Sequence, residues 1–146
     1  MRATYRVLAL LIAVGVVLQA AFVATAWFQV LHDTDSGAVF DKNSEPNWAY
    51  AAHGLLGIMI IPIIAIVLLI LSFFARIPGG VKWAAITFGV VLLQVVLAFA
   101  GWAAPVVGAL HGINAFALAG VASVAARKAR AAETASVEPA APVGSA

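Results

Sequence analysis

Residues 48–74 read WAYAAHGLLGIMIIPIIAIVLLILSFF, a stretch without a single Asp, Glu, Lys or Arg. A helix of about 20 apolar residues crosses the roughly 30 Å hydrocarbon layer of a bilayer. Because lipid offers no partners to backbone N–H and C=O groups, such a segment has to be helical. This stretch therefore predicts a transmembrane helix.

Three further segments share this character, at about residues 7–31, 81–104 and 105–126. The chain is 64% hydrophobic and only 10% charged, whereas soluble domains carry roughly 25% charged residues. We therefore expect an all-α integral membrane four-helix bundle over residues 1–127, with up-down-up-down topology. The polar residues 128–146 predict a disordered tail. The first segment is longer than the core of a secretory signal, so we expect it to remain in the protein.

The basic residues are distributed unequally between the connections of this bundle. The loop at residues 32–47 contains four carboxylates and the single base Lys42. Because cytoplasmic loops are enriched in Lys and Arg, we expect both termini in the cytoplasm and this loop outside a bacterial cytoplasmic membrane. No basic face is present for nucleic acid, but the acidic loop could dock a larger redox complex. The other seven bases lie at the termini or between the second and third segments: Arg2, Arg6, Arg76, Lys82, Arg127, Lys128 and Arg130.

Two uncommon residue types recur at one spacing in the first and third segments. Gln19 precedes Trp27 by eight positions, and Gln94 precedes Trp102 by the same number. The second and fourth segments share a His-Gly pair near their outer ends, at residues 53–54 and 111–112. This pattern predicts two repeated helix hairpins related by a pseudo-two-fold axis along the membrane normal.

The repeat places four polar side chains at nearly one depth in the bundle. At 1.5 Å per residue, His53 and His111 lie roughly 10 Å inside the outer ends of their helices. Gln19 and Gln94 fall near the same level. An ionisable residue inside a membrane is costly and indicates a functional site by default. The alternative is that histidines and glutamines only join neighbouring helices by hydrogen bonds.

We interpret the two histidines as axial metal ligands of one non-covalent haem b, because bundle cores supply such paired ligands. The absence of cysteine excludes covalently attached haem, disulfides and iron–sulfur clusters. Gln19 and Gln94 could accept the second imidazole N–H groups. Neighbouring glycines would leave room for the porphyrin, and two tryptophans would lie beside its edge. These cofactor-binding candidates are Gly54, Gly57, Gly108, Gly112, Trp27 and Trp102.

Over residues 5–127 the chain resembles small bacterial four-helix membrane proteins of unknown function. The His-Gly pairs and the Gln/Trp repeat are also similar to the bis-histidine bundles of membrane b-type cytochromes and to one half of a haem A synthase. This resemblance implies haem ligation by His53 and His111. The chain departs from two-haem cytochromes because it has no second histidine pair near the inner side.

The function expected from the sequence is electron transfer near the outer face, with haem b and a quinone as cofactors, rather than stand-alone enzyme activity. A non-catalytic accessory subunit of a membrane complex is the first alternative. A small transporter or metal-binding protein that uses His32, His53 and His111 is the second alternative. No carboxylate lies inside an expected helix, which disfavours a proton-coupled transporter.

The charge bias makes topology testable. A reporter fused after Ala146 should be active only in the cytoplasm, and a reporter inserted at Gly37 only on the other side. Activity on the opposite sides would reverse the expected orientation.

Overall fold

The computed structural model describes residues 1–135, which form four long helices and no strand. The helices are Arg2–Asp35, Trp48–Ser72, Gly80–Ala103 and Pro105–Ala135, and each is long and apolar enough to cross a membrane. The expectation of an all-α bundle with four membrane-spanning helices is confirmed. We call the end that holds the N-terminus the terminal end and the end that holds the 36–47 connection the loop end.

The four helices form a closed ring. Each helix packs against its neighbours in the chain, and the first helix packs against the fourth. The second and fourth helices consequently face each other across the bundle axis. This arrangement is the one in which the two histidine-bearing helices can present their side chains to each other.

The second helix changes its winding in the middle. It is α-helical over Trp48–Leu55 and Ile61–Ser72, with a π-helical turn at Leu56–Ile60 between them. The Ile61 N–H donates to the Leu56 carbonyl, five residues back. Pro62 has no N–H for the carbonyl of Ile58, so regular α-helical bonding is interrupted here in any case. Such π-turns are frequent beside functional sites, and this one begins three residues after His53.

The packed core lies toward the terminal end of the bundle. Its fully buried members include Tyr5, Ile12 and Leu68, and small alanines of the fourth helix let the backbones approach closely. The Tyr5 hydroxyl donates to the Gly80 carbonyl at 2.8 Å, which joins the first helix to the start of the third. The half of the bundle toward the loop end contains fewer buried side chains.

The first and fourth helices are longer than the sequence pattern indicates. The fourth continues to Ala135, so the expected disorder from residue 128 is wrong for residues 128–135. Hydropathy indicates only the apolar part of a helix, so it does not show that the helix continues through the charged residues after Ala126. Contacts with the first helix stabilise this alanine-rich extension. Arg6 forms an ion pair with Glu133 at 2.9 Å, and Arg2 donates to the Ala132 carbonyl at 2.9 Å. Residues 136–146 of the expected tail lie outside the described residues.

The third and fourth helices reverse direction with only Ala104 between them. Their backbones come very close beside this turn, because a Cβ built on Gly101 would lie 2.9 Å from the Gly108 Cα. Backbone atoms cannot move aside as a flexible side chain can. Glycine at position 101 is therefore required for this close approach.

Gly101→Ala should destabilise the bundle by about 1–3 kcal/mol, because the added methyl group forces the two helices apart. Gly89→Ala is the matched control in the same helix, since a Cβ at position 89 has nothing within 4 Å. The control should be neutral or stabilising by up to about 1 kcal/mol, the gain in helix propensity. The measurement is unfolding in detergent, and equal effects of the two changes would contradict the proposed contact.

Candidate ligand-binding site

A cavity of about 390 Å³ lies between the four helices, and all four contribute to its lining. Its polar lining side chains include Gln19, His53, Gln94 and His111. The structure thus brings together the four side chains that the repeat placed at one depth. Three of the expected glycines and one of the two tryptophans also line it: Gly54, Gly57, Gly108 and Trp102.

The two imidazoles approach each other across the bundle. Their ring centroids are 6.3 Å apart and the ring planes differ by 62°. The second and fourth helices occupy opposite corners of the ring, so this approach bridges the bundle axis. His32, the remaining histidine of the chain, is exposed on the first helix and does not line the cavity.

Both imidazoles are oriented by the same kind of hydrogen bond. His53 Nδ1 lies 3.2 Å from the main-chain oxygen of Gln19, and His111 Nδ1 lies 3.0 Å from the main-chain oxygen of Gln94. A carbonyl oxygen can only accept, so each Nδ1 carries the proton and donates. In the neutral imidazole this leaves a lone pair on each Nε2. The repeated hairpins therefore share a specific polar interaction as well as sequence.

The second hairpin adds a side-chain network to this interaction. The Gln94 Nε2 amide donates to the His111 main-chain oxygen at 3.0 Å and lies 3.2 Å from His111 Nε2. Asn114 Nδ2 donates to Gln94 Oε1 at 2.7 Å and to the Val90 carbonyl at 3.1 Å. Both ends of the Gln94 amide thus have partners on the fourth helix.

The first hairpin lacks this network. Gln19 Oε1 is buried and has no hydrogen-bond partner among the described residues. The residue three positions after His53 is Leu56, whereas the residue three positions after His111 is Asn114. Gln19 Nε2 packs against Gly57, where a Cβ would overlap it. The cavity is therefore chemically asymmetric although its scaffold is repeated.

The sequence identified the glutamines but not their interactions. We expected their side chains to accept from the imidazoles, whereas the acceptors are their main-chain oxygens. Residue type carries no signal for such a bond, because every residue has a carbonyl. The sequence signal for the interrupted winding of the second helix is Pro62, and the unequal surroundings of the two glutamines have no comparable signal.

The remaining candidates, the glycines and tryptophans, differ in whether they line the cavity. A Cβ at Gly54, Gly108 or Gly112 would meet nothing within 4 Å, so these glycines border open space, although Gly112 does not line the cavity. Trp102 lines the cavity and is 77% exposed, whereas Trp27 is 61% exposed and lies outside the lining. Within residues 1–135 no group of three or more His, Asp or Glu side chains could hold a metal ion.

The cavity opens sideways between the second and third helices. The loop-end half of the second helix, Trp48–Leu55, packs on the first helix and has almost no contact with the third. The other half, Ile61–Ser72, packs on both. Tyr50 and Ile58 on one side, and Phe99 and Trp102 on the other, line the cavity while remaining about half exposed or more. These four side chains border a cleft that faces the surrounding lipid.

The 36–47 connection closes the loop end on the side of the first hairpin. Asn47 accepts from the Tyr50 N–H at 2.9 Å, which caps the second helix, and donates to the Ala26 carbonyl at 3.0 Å. The Asn43 N–H, together with the Ser44 hydroxyl, lowers the pKa of Asp41. Asp41 therefore stays ionised to lower pH than an ordinary aspartate.

Part of the chain matches a protein family. Residues 36–103 are similar to a family described as a family of unknown function (DUF6220). The match covers the connection and the second and third helices, including His53 and Gln94, but it is a little under half of the chain. No curated protein and no solved structure matches the chain.

Replacement of Gln94 and replacement of Gln19 by leucine should have different effects on the stability of the protein. Gln94→Leu should destabilise the protein by about 1–2 kcal/mol, because it leaves Asn114 and His111 without partners in a membrane. Gln19→Leu should be neutral or slightly stabilising, since it removes a buried acceptor that has no partner. Unfolding of both variants in detergent measures the difference. An equal loss of stability would mean that Gln19 has a protein partner as strong as that of Gln94.

Proposed function

We propose that this chain is a membrane b-type haem-binding protein in which His53 and His111 are the two axial ligands of one haem. The separation of the imidazoles, 6.3 Å between ring centroids, is the observation that carries this proposal. Two imidazole nitrogens that bind one metal ion from opposite sides at about 2 Å place their rings roughly 6 Å apart. The separation of the two ring centroids is thus compatible with two ligands of one metal ion, which supports the proposal.

The hydrogen bonds at Nδ1 support the same assignment. A ligating histidine almost always donates its other ring N–H to a carbonyl or carboxylate, which fixes the ring and its tautomer. His53 and His111 both donate from Nδ1 to a main-chain oxygen, so both Nε2 atoms keep the lone pair that a metal requires.

The surrounding space also suits a planar macrocycle. The Cβ positions of Gly54 and Gly108 border open space, and the lateral cleft leaves room for an edge of the ring system. One rearrangement is required, because the Gln94 amide lies 3.2 Å from His111 Nε2. The amide would turn away from Nε2 while Asn114 holds its oxygen.

When bound, haem supplies reversible one-electron transfer. The chain contributes the ligand pair, the orientation of both rings and an apolar enclosure toward the loop end. The distribution of Lys and Arg favours a protein of a bacterial cytoplasmic membrane with its loop end outside. Because the cavity lies toward the loop end, the haem would then work near the outer face. There the 32–47 segment, whose residues are nearly all exposed, would contact a redox partner.

A non-catalytic accessory subunit is the second candidate. The observation that favours it is the network of Gln94, His111 and Asn114, which joins the third and fourth helices without any ligand. In this function the polar side chains specify helix packing, and the cavity has no cofactor.

An absorption spectrum separates the two candidates. Protein produced with sufficient haem should show the sharp α and β bands of reduced six-coordinate haem, and acidified organic solvent should extract the pigment. His53→Ala and His111→Ala should each abolish or convert this spectrum, because either change removes one axial ligand.

His32→Ala is the matched control, since His32 is exposed and outside the cavity, and it should keep the full spectrum. A folded but colourless wild-type protein would contradict the haem assignment and favour the accessory subunit. An unchanged spectrum in His111→Ala would show that haem is bound by other ligands.

A further inference from the structure

We propose that the terminal end of the bundle binds the head group of an anionic phospholipid, at the corner between the second and third helices. We call this place the basic corner, and its members are Phe73, Phe74, Arg76, Lys82 and Trp83. The cavity lies toward the other end of the bundle, so this inference does not depend on the proposed haem.

The two cations of the basic corner have no counter-charge within the described residues. Arg76 and Lys82 are exposed, and their side chains make no ion pair or hydrogen bond with any of residues 1–135. Residues 46–132 contain no Asp or Glu, and Glu133, the one carboxylate described at this end, pairs with Arg6 at 2.9 Å. Two exposed cations at the edge of a bilayer therefore remain available to a negative group from outside the chain.

The turn that carries Arg76 is fixed against the bundle. Ala75 and Ile77, on either side of it, are buried, and the Arg76 carbonyl accepts a hydrogen bond from Arg2 at 3.4 Å. Arg76 has a φ of 52°, which is uncommon for residues other than glycine. The shape of the turn gives no reason for an arginine here, since glycine adopts this conformation more easily. The exposed guanidinium is consequently the feature that distinguishes this position.

Lys82 lies on the side of the third helix that faces away from the bundle. The buried residues of this helix form a stripe that includes Gly80 and Thr87. Lys82 is two positions after Gly80, which is about 200° around the helix at 3.6 residues per turn. The Gly80 N–H donates to the Ile77 carbonyl at 2.8 Å, so the chain between the two cations reverses tightly. Two exposed cations therefore flank one turn.

Aromatic side chains combine this charge with an apolar surface. Phe73 and Phe74 are 65% and 61% exposed at the end of the apolar stretch of the second helix. Trp83 lies beside the same turn, because a Cβ built on Gly79 would be 3.8 Å from its ring, and tryptophan is enriched where a bilayer meets water. A soluble phosphate would use only the charges, whereas a phospholipid also covers the exposed phenylalanines with its acyl chains. The ligand class that fits both parts of the basic corner is an anionic phospholipid.

The test is quenching of Trp83 fluorescence by phospholipids brominated on their acyl chains. The full chain carries Trp27→Phe, Trp48→Phe and Trp102→Phe, so that Trp83 is its one tryptophan, and each reading is taken relative to unbrominated bilayers. Brominated phosphatidylglycerol should quench at an at least about fivefold lower content than brominated phosphatidylcholine, the ratio that one basic side chain provides at an anionic surface. Phosphatidylcholine brings its own cation to the corner and therefore gains less.

Arg76→Gln together with Lys82→Gln should remove this preference, because the two changes leave the basic corner without charge. Mass spectrometry of the otherwise unaltered chain, purified from membranes that contain both lipids, provides a second measurement. The unaltered chain should retain phosphatidylglycerol, and the double variant should lose it.

Arg127→Gln together with Lys128→Gln is the matched control, because it removes the same charge from exposed side chains of the fourth helix at the same end. It should keep the preference, and an equal loss would overturn the assignment to the basic corner. Equal quenching by the two lipids with an intact corner would overturn the proposal itself. Displacement of brominated phosphatidylglycerol by glycerol phosphate would also overturn it, since a site for soluble phosphate does not require a lipid.

Discussion

The hydrocarbon layer provides no hydrogen-bond partners, and this constraint governs every polar side chain inside the bundle. Most of the chain avoids the problem by placing apolar residues against lipid and alanines against neighbouring helices. At the cavity the chain does the opposite and concentrates two histidines and two glutamines. Each imidazole then depends on a main-chain oxygen, so the ring positions are fixed by the backbone of the first and third helices. The site is thus built into the helix packing.

The bundle has a packed terminal half and an open loop-end half, because the polar side chains and glycines are concentrated at the cavity. Small side chains and Tyr5 fill the terminal half, where the helices approach closely. In the loop-end half, glycines and polar groups leave space that no side chain fills. A bundle of this size can tolerate such a cavity because the other half, with its packed core and buried tyrosine hydrogen bond, keeps the helices together.

The fold was largely predictable from the sequence, and the site only in part. Long apolar stretches interrupted by Pro, Gly and charged residues leave few alternatives, so the four helices were found within a few residues except at Arg2–Asp35 and Pro105–Ala135. There the helices continue into polar sequence, which hydropathy does not recognise as helical. The repeat identified Gln19, His53, Gln94 and His111 because both hairpins carry them. It could not reveal how the hairpins differ in hydrogen bonding, since the significance of Leu56 at the position that corresponds to Asn114 depends on the neighbours of each amide.

The π-turn at Leu56–Ile60 has a mechanical consequence for this arrangement. It divides the second helix into a segment anchored by the core and a segment held mainly by the first helix. A small change of angle at this joint would swing His53 and one wall of the cleft together, while the buried side chains from Ile61 onward keep their packing. The width of the opening to lipid and the distance between the two imidazoles are therefore coupled. A molecule that spreads the cleft would also alter the histidine pair, with no displacement of the rest of the bundle.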